Sequence, residues 1–129
     1  MKYFFLTLTL LSEPAIAQES KPLDLGSVNP AMAKDFFGAY EISNDNGTRH
    51  CQVVLSPEVT IGGMAIDVAL DCTKKFPVMG EVASWRLYEN WEIAFADATR
   101  KELIRFTTPD NAYVATPETD GIATILRKK

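Results

Sequence analysis

Apolar and polar residues alternate along most of the chain after Gly38. From Met64 to Cys72 every even-numbered position is apolar, whereas Asp67 and Asp71 lie on the opposite side of the alternation. A repeat of two residues is typical of a β-strand with one buried face and one solvated face. The pattern therefore predicts a protein built mainly of strands.

Turn signals divide this region into eight short strands. Asn44–Gly47 and Gly62-Gly63 are two of these signals, and strand plus turn averages roughly 11 residues, a spacing typical of all-β barrels and sandwiches. Short turns favour antiparallel neighbours, and eight strands close into a barrel that side chains fill or that holds one small ligand. We therefore expect a lipocalin-like, eight-stranded, up-and-down antiparallel β-barrel over residues 38–129, with Trp85 and Trp91 filling and closing it. The predicted strands are Ala39–Ser43, Arg49–Ser56, Met64–Cys72, Val82–Tyr88, Trp91–Asp97, Glu102–Thr107, Tyr113–Thr116 and Ile122–Arg127.

A short helix is expected before the barrel. Asn29 is a suitable N-cap, Pro30 suits the first helical position, and Gly38 ends a segment of about two turns. The residues from Gln18 to about Val28 are polar and show no periodicity, which indicates an extended arm. Residues 18–37 are thus predicted to form an N-terminal arm and a short helix.

The first 17 residues have the features of a secretory signal peptide. Met1-Lys2 is a positive start, residues 3–11 are an apolar run, and Ala15-Ile16-Ala17 has the small-residue pattern of a cleavage site. The run is about half the length that a membrane span needs. We therefore expect export, a mature chain that begins at Gln18, and no stable membrane anchor.

Charge and composition exclude several kinds of function. Lys and Arg number 13 and Asp and Glu number 17, which gives a net charge of −4. A nucleic-acid-binding surface would need a basic balance. One His and two Cys are too few for a zinc site made of those residues alone, and they disfavour a His-based catalytic triad. We expect no catalytic residues, no cofactor, no bound metal ion and no nucleic-acid partner.

The two cysteines are expected to form a disulfide bond. An exported chain meets an oxidising compartment, where an even number of cysteines usually pairs. The midpoint between Cys51 and Cys72 falls between Ile61 and Gly62, so a hairpin centred there would place the two cysteines opposite each other. Closing a loop of about 22 residues would stabilise the fold by roughly 3 kcal/mol.

An ordered set of short motifs resembles a known family. The motifs are Gly38-x-Tyr40, Cys51-x-Val53-x-Leu55, Leu70-Asp71-Cys72, Val82-Ala83-x-Trp85, Leu103-x-x-Phe106 and Ile125-Leu126-Arg127. Together they resemble the bacterial serralysin inhibitors, small periplasmic inhibitors of secreted zinc metalloproteases, whose domain also occurs in an outer-membrane lipoprotein branch. The lipoprotein branch carries a Cys at the mature N-terminus, where this chain has Gln18. The resemblance therefore implies a periplasmic monomer whose partner is a secreted zinc metalloprotease.

The resemblance also implies a binding site at the start of the mature chain. In the family, the first residues enter the active-site cleft of the protease and approach its catalytic zinc. The corresponding residues here are Gln18, Glu19, Ser20, Lys21 and Pro22. An arm without a role is the alternative, since termini commonly fray. A carrier of a small ligand and a structural envelope protein are the alternative functions.

Overall fold

Eight strands form a closed antiparallel barrel. The computed structural model describes residues 21–23, 30–108 and 112–128. Each strand pairs with its neighbours in sequence, and the last strand pairs with the first, so the barrel has up-and-down topology. The predicted fold is confirmed. The strands are β1 (Gly38–Ser43), β2 (His50–Thr60), β3 (Gly63–Val68), β4 (Ser84–Leu87), β5 (Ile93–Ala96), β6 (Glu102–Thr107), β7 (Tyr113–Thr119) and β8 (Ile122–Arg127).

In the described part of the chain, three short helical segments accompany the barrel. Helix α1 (Pro30–Lys34) precedes β1, while helix α2 (Cys72–Lys75) and a 3-10 helix (Pro77–Gly80) lie in the connection between β3 and β4. Among the described residues, no helix combines the length and the apolar character that a membrane crossing requires. Three predictions concern residues outside the described ranges. They are the signal peptide at 1–17, the arm at residues 18–20 and 24–28, and the Asn29 N-cap.

Large side chains fill the interior of the barrel. Trp85, Phe95 and Phe106 are fully buried, and Phe95 and Phe106 meet edge to face with their ring centroids 5.3 Å apart. Aliphatic residues from β1, β2, β5, β6 and β8 occupy the space around these rings. Protein interiors are close-packed, and an eight-stranded barrel is just wide enough for side chains to fill it. This filled interior argues against a carrier that holds a ligand inside the barrel.

An irregularity in β2 changes the register of the β2–β3 hairpin. Near the turn, Val59 pairs with Met64, but farther along Leu55 pairs with Ile66, so the register shifts between these pairs. At this shift the carbonyl oxygen of Ser56 accepts a hydrogen bond from Nε1 of Trp85, at 2.9 Å. Bulges re-aim the backbone in this way. The shift therefore supplies a partner for the buried indole.

The disulfide between Cys51 and Cys72 is present, but its geometry differs from the prediction. The Cα atoms are 5.2 Å apart. Cys72 is not part of β3, because that strand ends at Val68 and Cys72 begins α2, with its N–H donating to the carbonyl of Ala69. The predicted strand end at Cys72 and the directly opposed cysteines are therefore wrong. The bond instead joins β2 to the first residue of α2.

The β7–β8 turn is shorter than predicted. Strand β7 continues through Pro117 to Thr119, so a turn that begins at Pro117 is wrong. An irregular register between Val114 and Thr119 accommodates the proline, which cannot donate a backbone hydrogen bond. Only Asp120 and Gly121 form the turn, with φ values of 51° and 83°. Asp-Gly is a favoured pair for two-residue hairpins that need positive φ at both positions.

The connections collect at two ends of the barrel. We call one the disulfide end; it comprises the Cys51–Cys72 bond, α2, the 3-10 helix and the Asp120-Gly121 turn. There Phe76 and Met79 are almost completely buried, and the N–H of Val78 donates to Oδ2 of Asp120, at 2.6 Å. We call the other the arm end; it comprises residues 21–23, α1, Phe36 and residues 88–92.

Candidate functional site

The described part of the arm forms a short β-bridge with the end of β4. The N–H of Leu23 donates to the carbonyl of Leu87 at 2.8 Å, and the N–H of Glu89 donates to the carbonyl of Lys21 at 2.9 Å. Pro22 lies between these bonds, antiparallel to Tyr88. We call this pairing of residues 21–23 with residues 87–89 the arm bridge. The arm is thus extended and attached to the barrel.

The arm bridge uses the edge of β4 that β3 leaves open. Strand β3 contacts β4 through the pair Met64–Trp85, and it begins at Gly63. On the other edge of β4, the N–H of Tyr88 donates to the carbonyl of Glu92. Because Lys21 lies opposite Glu89, beyond the last residue of β4, the chain enters the bridge from outside the barrel.

Three residues of the arm have different surroundings. Leu23 is partly buried and packs against the hydrophobic core, whereas Lys21 and Pro22 are exposed. Proline is tolerated at the edge of a sheet because its missing N–H leaves no ladder bond unmade. Leu23 is therefore the side-chain anchor of the arm, and Lys21 and Pro22 present their side chains to solvent.

Tyr88, the residue opposite Pro22, is held on the outer wall of the barrel. The guanidinium of Arg105 lies over its ring, 3.9 Å from the centroid, and Nη1 of Arg86 lies 3.4 Å from its hydroxyl oxygen. Arg105 also forms an ion pair with Glu92 at 3.3 Å. A cation over an aromatic face is attracted by the electrons of the ring. These contacts fix the surface on which the arm lies.

An aromatic pair closes the arm end. The rings of Phe36 and Trp91 are stacked, with centroids 5.0 Å apart. Trp91 has a φ of 65°, in the left-handed region that costs a non-glycine residue about 1–2 kcal/mol. The hydroxyl of Tyr113 donates to the carbonyl of Trp91 at 2.7 Å and holds this turn. Trp91 therefore helps to close the barrel, as predicted.

Two tyrosine hydroxyls are withdrawn from solvent at this end. Tyr40 donates to the carbonyl of Phe36 at 3.1 Å. Burial raises the pKa of Tyr113 to about 12, with a further contribution from Tyr40, and burial also raises the pKa of Tyr40. Both groups are neutral donors at neutral pH. They stabilise the backbone next to the arm without adding charge.

The structure places two of the five predicted binding residues, Lys21 and Pro22, side by side on the barrel. The other three, Gln18, Glu19 and Ser20, lie outside the described residues. Sequence reasoning missed the arm bridge, including Leu23 and its acceptor at Leu87. The sequence gives only a weak signal for it, because Leu23 is apolar but so are Leu25 and Val28 in the same segment.

Outside the arm end, a functional site could also arise from side chains that bind a metal ion or titrate near neutral pH. Within the described residues, no three His, Cys, Asp or Glu side chains converge as they would around a metal ion. His50 is exposed, and its Nδ1 lies 3.7 Å from a carboxylate oxygen of Glu41. The arm end, where residues 21–23 pair with the end of β4, is the candidate functional site.

Comparison of the chain with known proteins shows which family it belongs to. A family model described as protease inhibitor Inh matches residues 31–128, which include the whole barrel. No curated protein and no solved structure matches the chain. The matched family supports a protease as partner and a role that is not enzymatic. The arm before residue 31 lies outside the match. The chain belongs to the protease inhibitor Inh family.

Proposed function

We propose that this protein inhibits a secreted zinc metalloprotease of the serralysin type, in the periplasm, by placing its N-terminal arm in the active-site cleft. The observation that carries the proposal is the arm bridge at the end of an inhibitor-family barrel. It keeps residues 21–23 extended and paired with the end of β4. Proteases bind extended chains through main-chain hydrogen bonds, so an extended arm suits such a cleft.

The arm would act on the metal centre of the protease. The contact residues proposed are Gln18, Glu19, Ser20, Lys21 and Pro22. A free α-amino group at Gln18, or the carboxylate of Glu19, would take the position of the water that the zinc of the protease activates. Without that water the protease cannot hydrolyse a peptide bond. The inhibitor itself would need no catalytic residue and no cofactor.

The proposed location follows from the signal-like N-terminus and the disulfide. Disulfides persist in oxidising compartments such as the periplasm. Cleavage after Ala17 would release a mature chain that begins at Gln18. Sequencing the N-terminus of the exported protein tests this step, and a start at any other residue would change the reach of the arm.

The function is tested by titrating the mature chain against a serralysin-type protease. Thermolysin serves as the zinc protease of another type, and subtilisin serves as the control without a catalytic metal. We expect stoichiometric, one-to-one inhibition of the serralysin-type enzyme and none of subtilisin. A chain that begins at Val28 should lose the inhibition while keeping the unfolding temperature of the barrel.

Two results would change the conclusion. Inhibition that survives the removal of residues 18–27 would keep the function and move the site to the barrel. No inhibition of several such metalloproteases at micromolar concentration would contradict the proposed function and favour a structural role in the envelope.

A further inference from the structure

We propose that the arm bridge is a positioning device that sets how far the arm reaches. In this arrangement the residues before Lys21 enter the cleft, while Lys21 and Pro22 stay at its rim on the barrel. The inference rests on the proposed function and makes it more specific. It assigns Leu23, Leu87 and Glu89 as positioning residues of the inhibitor.

The first argument is that two main-chain groups of residues 21–23 are already used in the bridge. Each residue other than proline offers one N–H and one carbonyl. The carbonyl of Lys21 accepts from Glu89, and the N–H of Leu23 donates to Leu87. Pro22 has no N–H to offer. A cleft that binds an extended chain through its main chain needs such groups, so it could use residues 21–23 fully only after the bridge had opened.

The second argument is that the bridge has a side-chain anchor and a fixed support. Leu23 packs against the core. Tyr88 is 6% exposed and is covered by Arg105 at 3.9 Å. A segment that is already ordered in its binding position loses less conformational entropy when it binds. The bridge therefore supplies order where the arm leaves the barrel.

The third argument concerns length. A mature chain beginning at Gln18 has three residues before Lys21, which span at most about 10 Å when extended. If the bridge persists in the complex, this short piece is all that can advance into the cleft. Residues 24–29 follow the bridge in the sequence, so the length of that segment would then have no influence on the reach.

Two matched insertions test the inference. One variant carries Gly-Gly between Ser20 and Lys21, outside the bridge, and the other carries Gly-Gly between Ser27 and Val28, behind it. We expect the first insertion to weaken inhibition at least about tenfold, because it changes the distance between the bridge and the arm tip. The second should change inhibition by less than about twofold. Hydrogen exchange at the amides of Leu23 and Glu89 reports whether the bridge persists in each variant.

A second set of variants addresses the anchor directly. Leu23→Asp should weaken inhibition at least about tenfold and speed exchange at the Glu89 amide, while Leu23→Met should preserve both. Leu70→Asp is the matched control, because Leu70 is 96% exposed at the disulfide end. A general effect of added negative charge would appear in both aspartate variants.

The outcomes separate this inference from the proposed function. Equal effects of the two insertions, or inhibition unchanged by Leu23→Asp, would overturn the positioning role while the parent chain still inhibits. A parent chain that inhibits no metalloprotease would overturn the proposed function and the positioning role with it. The inference would be supported if the amides of Leu23 and Glu89 are protected in the complex and the two insertions have unequal effects on inhibition.

Discussion

The two ends of the barrel are closed by different kinds of interaction. At the disulfide end, a covalent bond joins β2 to α2, and Phe76 and Met79 are buried inside. At the arm end, a partly exposed aromatic pair covers the barrel, and hydrogen bonds to main-chain carbonyls hold the turns. The first end can supply stability whether or not a partner is present. The second end leaves main chain and side chains within reach of a partner.

This difference indicates how a protein of the inhibitor family can be stable and still present a terminal segment for binding. A terminal segment with few buried contacts opens at low free-energy cost, whereas a well-packed core does not. Within its described residues 21–23, the arm is attached through two main-chain hydrogen bonds and one apolar side chain, Leu23. The barrel can therefore tolerate changes in the arm, and the arm depends on the barrel for its position.

The largest expected effect on stability is at Phe76, in the disulfide end. Phe76→Ala removes a fully buried ring and should lower the free energy of unfolding by about 4 kcal/mol, through lost burial and the cavity left behind. Urea unfolding of the mature chain measures this. Phe76→Leu, which keeps most of the volume, should cost less than half as much. A loss under about 1 kcal/mol for Phe76→Ala would contradict the idea that this end carries the stability.

Removal of the disulfide is expected to be the next largest effect. The double variant Cys51→Ala/Cys72→Ala opens a loop with a sequence separation of 21 residues and should cost about 3 kcal/mol. Because the bond lies at the end opposite the arm, inhibition by the folded fraction should change by less than about twofold. Inhibition assays well below the unfolding temperature test the separation of the two ends. A large loss of inhibition in a folded double variant would show that the ends are coupled.

The sequence predicted the barrel well because its information is repeated. β6 and β8 were predicted with their observed bounds, Glu102–Thr107 and Ile122–Arg127. At least half of the residues in each of these strands are apolar, with Leu103, Ile104 and Phe106 in β6 and Ile122, Ile125 and Leu126 in β8. Buried aromatic and aliphatic positions recur in nearly every strand, so no single residue decides the fold.

The errors fall where one local event decides the geometry. The register shift in β2 lies where Ser56 accepts the hydrogen bond of the Trp85 indole, and the alternation of apolar residues gives no sign of it. The same alternation made Leu70 look buried, yet it is fully exposed because the chain leaves the sheet after Val68. The main-chain pairing of the arm is likewise not visible in the sequence, because two hydrogen bonds impose no periodicity and Leu23 is one of several apolar residues in the segment.

A smaller loss of stability is expected at the arm end. Phe36→Ala removes a partly buried ring and should cost about 1–2 kcal/mol, less than Phe76→Ala. Its effect on inhibition should be larger than that of Phe76→Ala, roughly threefold to tenfold, because Phe36 stacks on Trp91 in the turn that follows Glu89. Urea unfolding ranks Phe36→Ala and Phe76→Ala by their loss of stability, and inhibition assays rank the same two variants by their loss of inhibition. Identical rankings for stability and inhibition would contradict a division between the ends.

The smallest effect expected is a loss of stability at high pH that arises from the arm end alone. The pKa of Tyr113 is raised from 10.0 to about 12, so the folded state holds its proton where the unfolded state has lost it. A raised pKa stabilises the fold below pH 10, and this contribution is lost as pH rises from 10 through 12. Because the ring is partly exposed and solvent screens the charge, the loss should stay below about 1 kcal/mol.

Unfolding in urea at pH 9, 10 and 11, with tyrosinate absorbance as a second measurement, tests this dependence. Tyr113→Phe should flatten the decline of the free energy of unfolding with rising pH. Adding Tyr40→Phe should flatten it further, since burial also raises the pKa of Tyr40. Cys51→Ala/Cys72→Ala should decline with the same slope as the parent chain, from a lower starting value. A parallel decline in the parent chain and both tyrosine variants would mean that other groups carry the pH dependence. A slope changed by loss of the disulfide would mean that the two ends unfold as a coupled unit.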